Sequence, residues 1–370
     1  IGLESAVFDL VIVDEAGKAL MPEVLIPLNK AKKIVLIGDH KQLPPVVNPA
    51  LYDPELIELD DRSYFKKEIF DTSYFERLFL ACPDSNKAAL TTQYRMPQML
   101  GTMISNLFYG GVIQNGAGTE DKKTLFYEKP ISLIDMSGIR AYCENEEGSP
   151  TNLYEAKYVL FLIDQIRNRV PTARIAVITP YKGQKRMITN LLLNSLGNLT
   201  SQNIAVDTVD AFQGDEAELV IYCTTRAKRK TKFFSDERRL NVAFSRAKNE
   251  LIILASVAYL KKYSMDDSIY KVLDYLKEHK CIRKPEPIHL KKPKYDDLRY
   301  VQLIDVFCDR QCDNELVEQE FLLYQNKGQF TCSLAVRQEG ERYEIVSGEA
   351  VYYAARMLHL ENMTVHIVNG

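Results

Sequence analysis

Apolar runs that stop abruptly at acidic or glycine-rich turns set the rhythm of this chain. Val7 to Val13 is apolar apart from Asp9 and ends in Asp14-Glu15. Such a run predicts a buried parallel strand with polar residues at its C-terminal edge. Pro22 to Asn29 predicts a short helix with proline at its start. Lys33 to Asp39 predicts a second buried strand, closed by Gly38-Asp39-His40. Strand, helix, strand is the crossover unit of an α/β sheet. Residues 48 to 84 read as an irregular connector whose clearest helix is Ser73 to Leu80.

The alternation then resumes. Strands are predicted at Leu90 to Gln93, Ile131 to Asp135, Ile175 to Thr179, Ile204 to Thr208, Leu219 to Cys223 and Leu251 to Ala255. Between them fall helices at Pro97 to Tyr109, Asn152 to Arg169, Gly183 to Leu193 and Glu237 to Arg246. Gly110-Gly111 ends the first helix, and Thr151 or Asn152 caps the long amphipathic second. Regular alternation of this kind predicts a doubly wound parallel sheet. Residues 284 to 298 carry Pro285, Pro287 and Pro293 among lysines and acids and read as a linker. Residues 299 to 370 read as a small α+β unit.

Length and composition are consistent with this division. The chain has 370 residues, too many for one ordinary core. It opens on Ile1 at the approach to a strand, which suggests a fragment or processed product. No apolar run nears the ~18 residues of a membrane span, so no membrane role is expected. The net charge of −3 excludes a uniformly basic nucleic-acid glue but leaves room for a locally basic cleft. Seven cysteines without paired spacing predict reduced thiols and a cytoplasmic or nucleoid-associated setting. Cys308 and Cys312 are close, yet no second Cys/His pair accompanies them, so zinc is not predicted.

Five strings carry candidate chemistry. Asp14-Glu15 ends a strand, where adjacent carboxylates can divide two tasks. One holds the Mg²⁺ that bridges nucleotide phosphates, and the other orients and polarises the attacking water. Gly38-Asp39-His40-Lys41-Gln42-Leu43-Pro44-Pro45 follows the neighbouring strand and so shares its edge, where ligands bind in open sheets. Its Gln42 can bond both a water and a γ-phosphate. Gln93-Tyr94-Arg95 is the third. Asp207 to Glu216 and Arg238 to Ala247 are the fourth and fifth. Arginines from a second domain, here Arg95 and Arg246, can enter a nucleotide cleft and stabilise charge on the phosphoryl group in transfer.

In order and spacing these strings resemble the motifs of superfamily 1 helicases, in the branch of the nonsense-mediated-decay helicase and its DNA-processing relatives. The resemblance covers roughly residues 5 to 260, and Thr179-Pro180-Tyr181-Lys182-Gly183-Gln184 resembles a further block. It implies two RecA-like P-loop NTPase domains in tandem. Residues 1–84 would supply the C-terminal half of the first with a connector, and residues 85–283 the whole second. It also implies ATP and Mg²⁺ as cofactors, with 5′-to-3′ movement on single-stranded DNA or RNA. By that resemblance Asp14 ligates Mg²⁺, Glu15 is the base, Gln42 senses the γ-phosphate and Tyr94 stacks on adenine. Arg95 and Arg246 are the arginine fingers, and Gly214 and Glu216 line sugar and phosphates. Pro45, Thr179, Tyr181 and Thr208 touch the nucleic-acid strand.

One departure stands out. The phosphate-binding loop G-x-x-x-x-G-K-[ST] that this family needs does not occur in the sequence, and Gly17-Lys18-Ala19 lacks both its hydroxyl and its spacing. Truncation accounts for this most simply. The alternative is a non-catalytic binding or scaffold module that keeps the fold. A nuclease reading finds no acid/His cluster in the tail. That tail, with Glu341 to Glu349, Tyr353-Ala354-Ala355 and Leu360 to Val368, resembles the N-terminal domain of ParB-type partition proteins. Ala350, Val351 and Tyr353 stand where that family carries nucleotide-binding arginines. The resemblance therefore suggests a docking module with a protein partner, and by analogy DNA.

Overall fold

A computed structural model describes residues 6–46, 73–138, 142–144, 148–212, 214–231, 233–288, 298–327, 330 and 334–368. The first unit is β1 (Phe8–Val13), α1 (Met21–Leu28) and β2 (Ala31–Leu36), with β1 and β2 parallel. α2 (Tyr74–Ala81) follows, and the Ser73 hydroxyl caps it by accepting from the Glu76 amide. The rest of the expected connector, 48 to 72, lies outside the described residues. β1 and β2 depart from expectation in their burial. Phe8, Leu10, Ile12 and Val35 are exposed, because the two strands pair with each other and little packs on their faces.

The second unit opens with β3 (Thr92–Gln93), α3 (Gln98–Phe108), β4 (Gln114–Asn115), β5 (Ile131–Asp135), β6 (Tyr142–Glu144) and β7 (Pro150–Asn152). Then come α4 (Leu153–Arg169), β8 (Ile175–Thr179), α5 (Lys182–Leu196), β9 (Ile204–Thr208) and β10 (Ala217–Cys223). α6 (Glu237–Phe244), β11 (Ala247–Ala255), α7 (Val257–Tyr263), α8 (Ser268–Glu278) and β12 (Ile282–Arg283) complete it. Its main sheet is parallel throughout, in the order β12-β5-β11-β10-β8-β9.

Alternating residues of this sheet feed two cores. Leu133, Ile178, Val220, Tyr222, Leu251 and Ile253 face α3, α6, α7 and α8. Ile134, Val177, Ile221, Ile252 and Leu254 face α4 and α5 on the other side. That is the doubly wound arrangement. Each of the buried aliphatic side chains among these contributes about 1.5–3 kcal/mol, so the strands, and with them the loops at their C-terminal edge, are held firmly. α4 is not the two-faced helix its pattern suggests. Tyr158 through Ile163 are all buried, because residues beyond the sheet side also cover it. Its Asn152 cap accepts from the Glu155 amide.

The tail is a separate layer with its own core. β13 (Leu298–Gln302), β14 (Val306–Phe307), α9 (Asn314–Lys327), β15 (Leu334–Glu339), β16 (Arg342–Ser347), α10 (Glu349–Met357) and β17 (Asn362–Ile367) build a mixed sheet ordered β13-β17-β15-β16-β14. Val301, Leu334, Val336, Ile345, Tyr352 and Val365 fill its interior. β13 lies against α5, where the Tyr300 amide donates to Asn190 Oδ1 at 2.5 Å and Lys185 reaches over the Tyr300 ring. Of the expected linker, 289–297 lies outside the described residues. Its first residues pack on the second unit, with the Glu286 amide donating to the Tyr158 hydroxyl. Among the described residues no helix is long and apolar enough to cross a membrane, and no cluster of three or more candidate metal ligands forms.

Two buried carboxyls show opposite solutions to the same cost. Glu250 accepts from the amides of Leu125, Phe126 and Tyr127 at 2.7–2.9 Å, which offsets much of its desolvation. Glu155 accepts from one amide, that of Thr225, while its other oxygen has no partner. Burial pushes its pKa up from 4.5 to about 8, with the Thr225 amide opposing the shift. Between those two values the folded state keeps a proton that the unfolded state has lost. Stability therefore falls as pH rises from about 4.5 to about 8 and levels off above. Glu155→Gln keeps an acceptor for Thr225 and removes the titration. We expect it to flatten that slope and to raise stability at pH 8 by on the order of 3 kcal/mol. Urea midpoints from pH 5 to 9 check this, and a parent protein that gains stability toward pH 8 would contradict it.

Candidate nucleotide cleft and strand-binding edge

Close backbone packing brings the first unit's two turns together. A Cβ on Gly38 would lie 2.8 Å from the Gly17 nitrogen, so only glycine lets these turns touch. Glu15 sits at φ +53°, a left-handed conformation that costs a residue of its type roughly 1–3 kcal/mol. The neighbouring strand holds it there, since the Ala16 amide donates to the Ile37 carbonyl at 2.8 Å. The Glu15 amide donates to Asp14 Oδ1 at 2.8 Å, and its carboxylate lies 3.3 Å from Lys18 Nζ. Both acids therefore stand at the end of β1 beside the Gly38–Gln42 turn.

A hydrogen-bonded ring crosses from that turn to the second unit. Asp39 Oδ2 accepts from Gln42 Nε2 at 2.9 Å and from the Tyr109 hydroxyl at 2.6 Å. Tyr109 in turn accepts from Asn241 Nδ2 at 2.8 Å, and the same amide donates to the Lys41 carbonyl at 3.0 Å. Gln42 Oε1 accepts from Arg246 Nη2 at 3.3 Å. Burial, then Asp39, holds the Tyr109 phenol well above its ordinary range, so it stays a proton donor to Asp39. Nearby, Arg238 Nη2 donates to both carboxylate oxygens of Glu76 of α2, at 2.9 and 3.1 Å.

The cations gather around Arg246. It is 4% exposed and anchored by the Val242 and Asp215 carbonyls. Burial, and then the charge of Arg95, lower its pKa. Arg95 Nε lies 3.0 Å from Glu216 and its Nη1 reaches the Ser245 carbonyl. Glu216 also accepts from Lys248 at 2.8 Å, and that bond, with Arg95 behind it, holds its carboxyl below the usual range. Lys18 approaches Gly214, whose φ of +90° suits glycine. Gln93 clasps its own turn by bonding Met96 N and O, and Asn115 beyond. That clasp presents Tyr94, an exposed ring lying over Gly116.

Asp14, Glu15, Gln42, Arg95, Arg246, Gly214 and Glu216 thus converge on one cleft, with Tyr94 at its rim. The expected strand contacts are placed differently. Thr179 is fully buried and bonds inward to the Thr225 hydroxyl, Pro45 is buried, and Tyr181 is 7% exposed. Thr208 is half-buried. Sequence reasoning missed Asp39, Tyr109 and Asn241 as cleft residues. Asp39 and Asn241 sit inside the strings quoted for Gln42 and Arg246, so their polarity was the available signal. Tyr109, just ahead of Gly110-Gly111, carried none.

The donor set fits a magnesium nucleotide. The Asp14 carboxylate suits a hard cation that completes its shell with water and phosphate. Arg95, Arg246 and Lys18 supply opposing charge for phosphates.

A family model described as an AAA domain matches residues 70–258, and a second of the same description matches residues 2–49. The probable helicase MAGATAMA 3 of Arabidopsis thaliana is 32% identical over 267 residues, 69% of this chain and 31% of its own length. An uncharacterized ATP-dependent helicase of Methanocaldococcus jannaschii is 31% identical, covering 71% of this chain and 37% of its own. The regulator of nonsense transcripts 1 homolog of Neurospora crassa is 32% identical, covering 74% and 25%. The chain spans a quarter to about a third of the length of these relatives. With just over half of its residues matched by the first family model, the chain belongs to the AAA-domain family.

Proposed function

We propose that this chain forms the nucleotide cleft and strand-gripping face of an ATP-driven helicase or translocase acting 5′ to 3′ on single-stranded DNA or RNA. The observation that carries the reading is the contact between Gln42 and Arg246, which joins the two units at the mouth of the cleft. A glutamine that bonds an arginine in one state and a γ-phosphate in another reports nucleotide occupancy to the second unit. Asp14 would hold a Mg²⁺ ion, which would supply positive charge to offset that of the nucleotide phosphates. Glu15 takes the proton of the attacking water, and Lys18 lies 3.3 Å from its carboxylate. Tyr94 stacks on the base, and Gly214 leaves room for the sugar beside Glu216. Arg95 and Arg246 neutralise the phosphoryl oxygens, and burial makes the Arg246 charge count for more than it would in water. The tail rides on α5 as a docking module, because β13 and Tyr300 are fastened to that helix.

Three outcomes test this. These 370 residues alone contain no G-x-x-x-x-G-K-[ST] string, so phosphate release in the presence of single strands is expected to be negligible. Robust turnover that Glu15→Gln abolishes would show that other residues supply the phosphate cradle.

In a longer chain that carries such a loop, Glu15→Gln is expected to bind ATP normally and not turn over. Arg246→Ala is expected to lose roughly 10³-fold or more in rate. Steady-state kinetics beside nucleotide-binding titrations decide it, and near-parental rates in either variant remove that residue's role.

The tail is expected to bind no nucleoside triphosphate. Glu349 at the start of α10 accepts from the Gly348 amide at 3.1 Å and pairs with Arg310 at 2.9 Å, so a carboxylate already occupies the place an anion would take. Calorimetry of residues 298–370 with CTP and ATP checks this, and micromolar affinity for either would contradict it.

A further inference from the structure

Immediately after β10 the chain reads Arg226-Ala227-Lys228-Arg229-Lys230-Thr231-Lys232-Phe233, five basic residues in seven with no acid until Asp236, in a protein whose net charge is −3. Lys228, Arg229 and Lys230 are all exposed, and Lys232 lies outside the described residues. Three consecutive like charges on a surface loop repel one another, and a polyanion relieves that repulsion.

The loop is built onto the edge already identified. Thr225, at φ +65°, starts it and is held by the buried Glu155 through its amide and by Thr179 through its hydroxyl. Arg226 then lies over the Tyr181 ring, 5.1 Å from the centroid, and its Nε donates to the Tyr181 hydroxyl at 3.0 Å. Phe233 sits 5.6 Å from the same ring, with the Arg239 guanidinium 4.4 Å from its own centroid. Tyr181 is thus the floor of a cation–aromatic stack and is closed to a base. Phe233, 42% exposed, is the ring at the surface. The other end of the loop is fixed where the Arg229 carbonyl accepts from the Tyr259 hydroxyl at 2.9 Å.

We infer that residues 226–231 and Phe233 form a ledge that binds single-stranded nucleic acid, with Lys228, Arg229 and Lys230 on successive phosphates and Phe233 stacked on a base. This deepens the proposed strand-gripping function and rests on it. The strand contact that the motif pattern assigns to Tyr181 passes to Phe233, which Tyr181 supports from beneath. Phosphate and base face are common to DNA and RNA, so the ledge serves either.

The test measures binding of the 370-residue chain to fluorescent oligo-dT and oligo-rU by anisotropy across a salt series. Each phosphate contact on a single strand contributes about 0.7 to the slope of log K against log salt. The triple variant Lys228→Ala, Arg229→Ala, Lys230→Ala is expected to bind more weakly with a slope shallower by about 2. A control of equal charge change on α7 and α8, Lys261→Ala, Lys271→Ala, Lys277→Ala, is expected to keep the parental slope. Phe233→Leu is expected to lose roughly tenfold in affinity with its slope unchanged, because stacking releases no counterions, and Phe233→Tyr to restore it. Equal losses on both oligonucleotides fit a ledge serving either, and loss on one alone overturns that part. If the parent binds strands salt-dependently and the loop variant keeps its slope, the ledge is refuted while the helicase reading stands. A parent that binds neither strand refutes both.

Discussion

Gln42 and Arg246 meet because a ring of polar groups leaves them little choice. Asp39 is the centre of that ring. Its carboxylate accepts hydrogen bonds from Gln42 and from Tyr109, and Tyr109 is steered by Asn241, which also grips the Lys41 backbone. Each bond alone is worth about 1 kcal/mol net, and those to a carboxylate about twice that. Broken singly, each would strand a part-buried polar atom, so the ring holds or fails together. Asn241 already has one buried oxygen without a partner. The cleft is therefore a junction in which a small change at Gln42 is felt through Asp39 by two residues of the opposite unit.

The parallel sheet makes such a junction possible. Its central strands are buried on both faces, and every one of them ends on the same edge. α6 carries Asn241, and Arg246 follows it, with Leu240, Val242, Ala243 and Phe244 sunk in the core. The polar residues between those apolar ones have a fixed direction. The same edge carries Thr179, Thr208 and the loop after β10, so the residues of the candidate cleft and those of the loop are rooted in one rigid layer. α5 then connects this edge to the tail, with Lys185 paired to Asp207 and lying against Tyr300. Movement of the second unit relative to the first would carry the tail with it.

The sequence alone marked the central strands and the longer helices of the α/β alternation and the strings that line the candidate cleft, but not the short strands β4, β6, β7 and β12 or the helices α7 and α8. Those signals are local. A strand buried on both faces must be apolar along its length, and a capping residue, read as Thr151 or Asn152, must precede its helix. The adjacent carboxylates Asp14 and Glu15 could be picked out for the same reason, since they lie next to each other in the chain. Tertiary structure decided what those residues touch. Tyr109 lies 70 positions from Asp39, and Arg246 lies 204 positions from Gln42, so no periodicity or spacing could join them. Burial was decided there too. Thr179 and Tyr181 lie in a string that reads as a strand contact, yet the loop after β10 folds over them and exposes Phe233 instead. β1 and β2 read as buried and are open on their faces. An apolar pattern states what a segment can bury, and only the neighbours that the fold brings to it determine what it does bury.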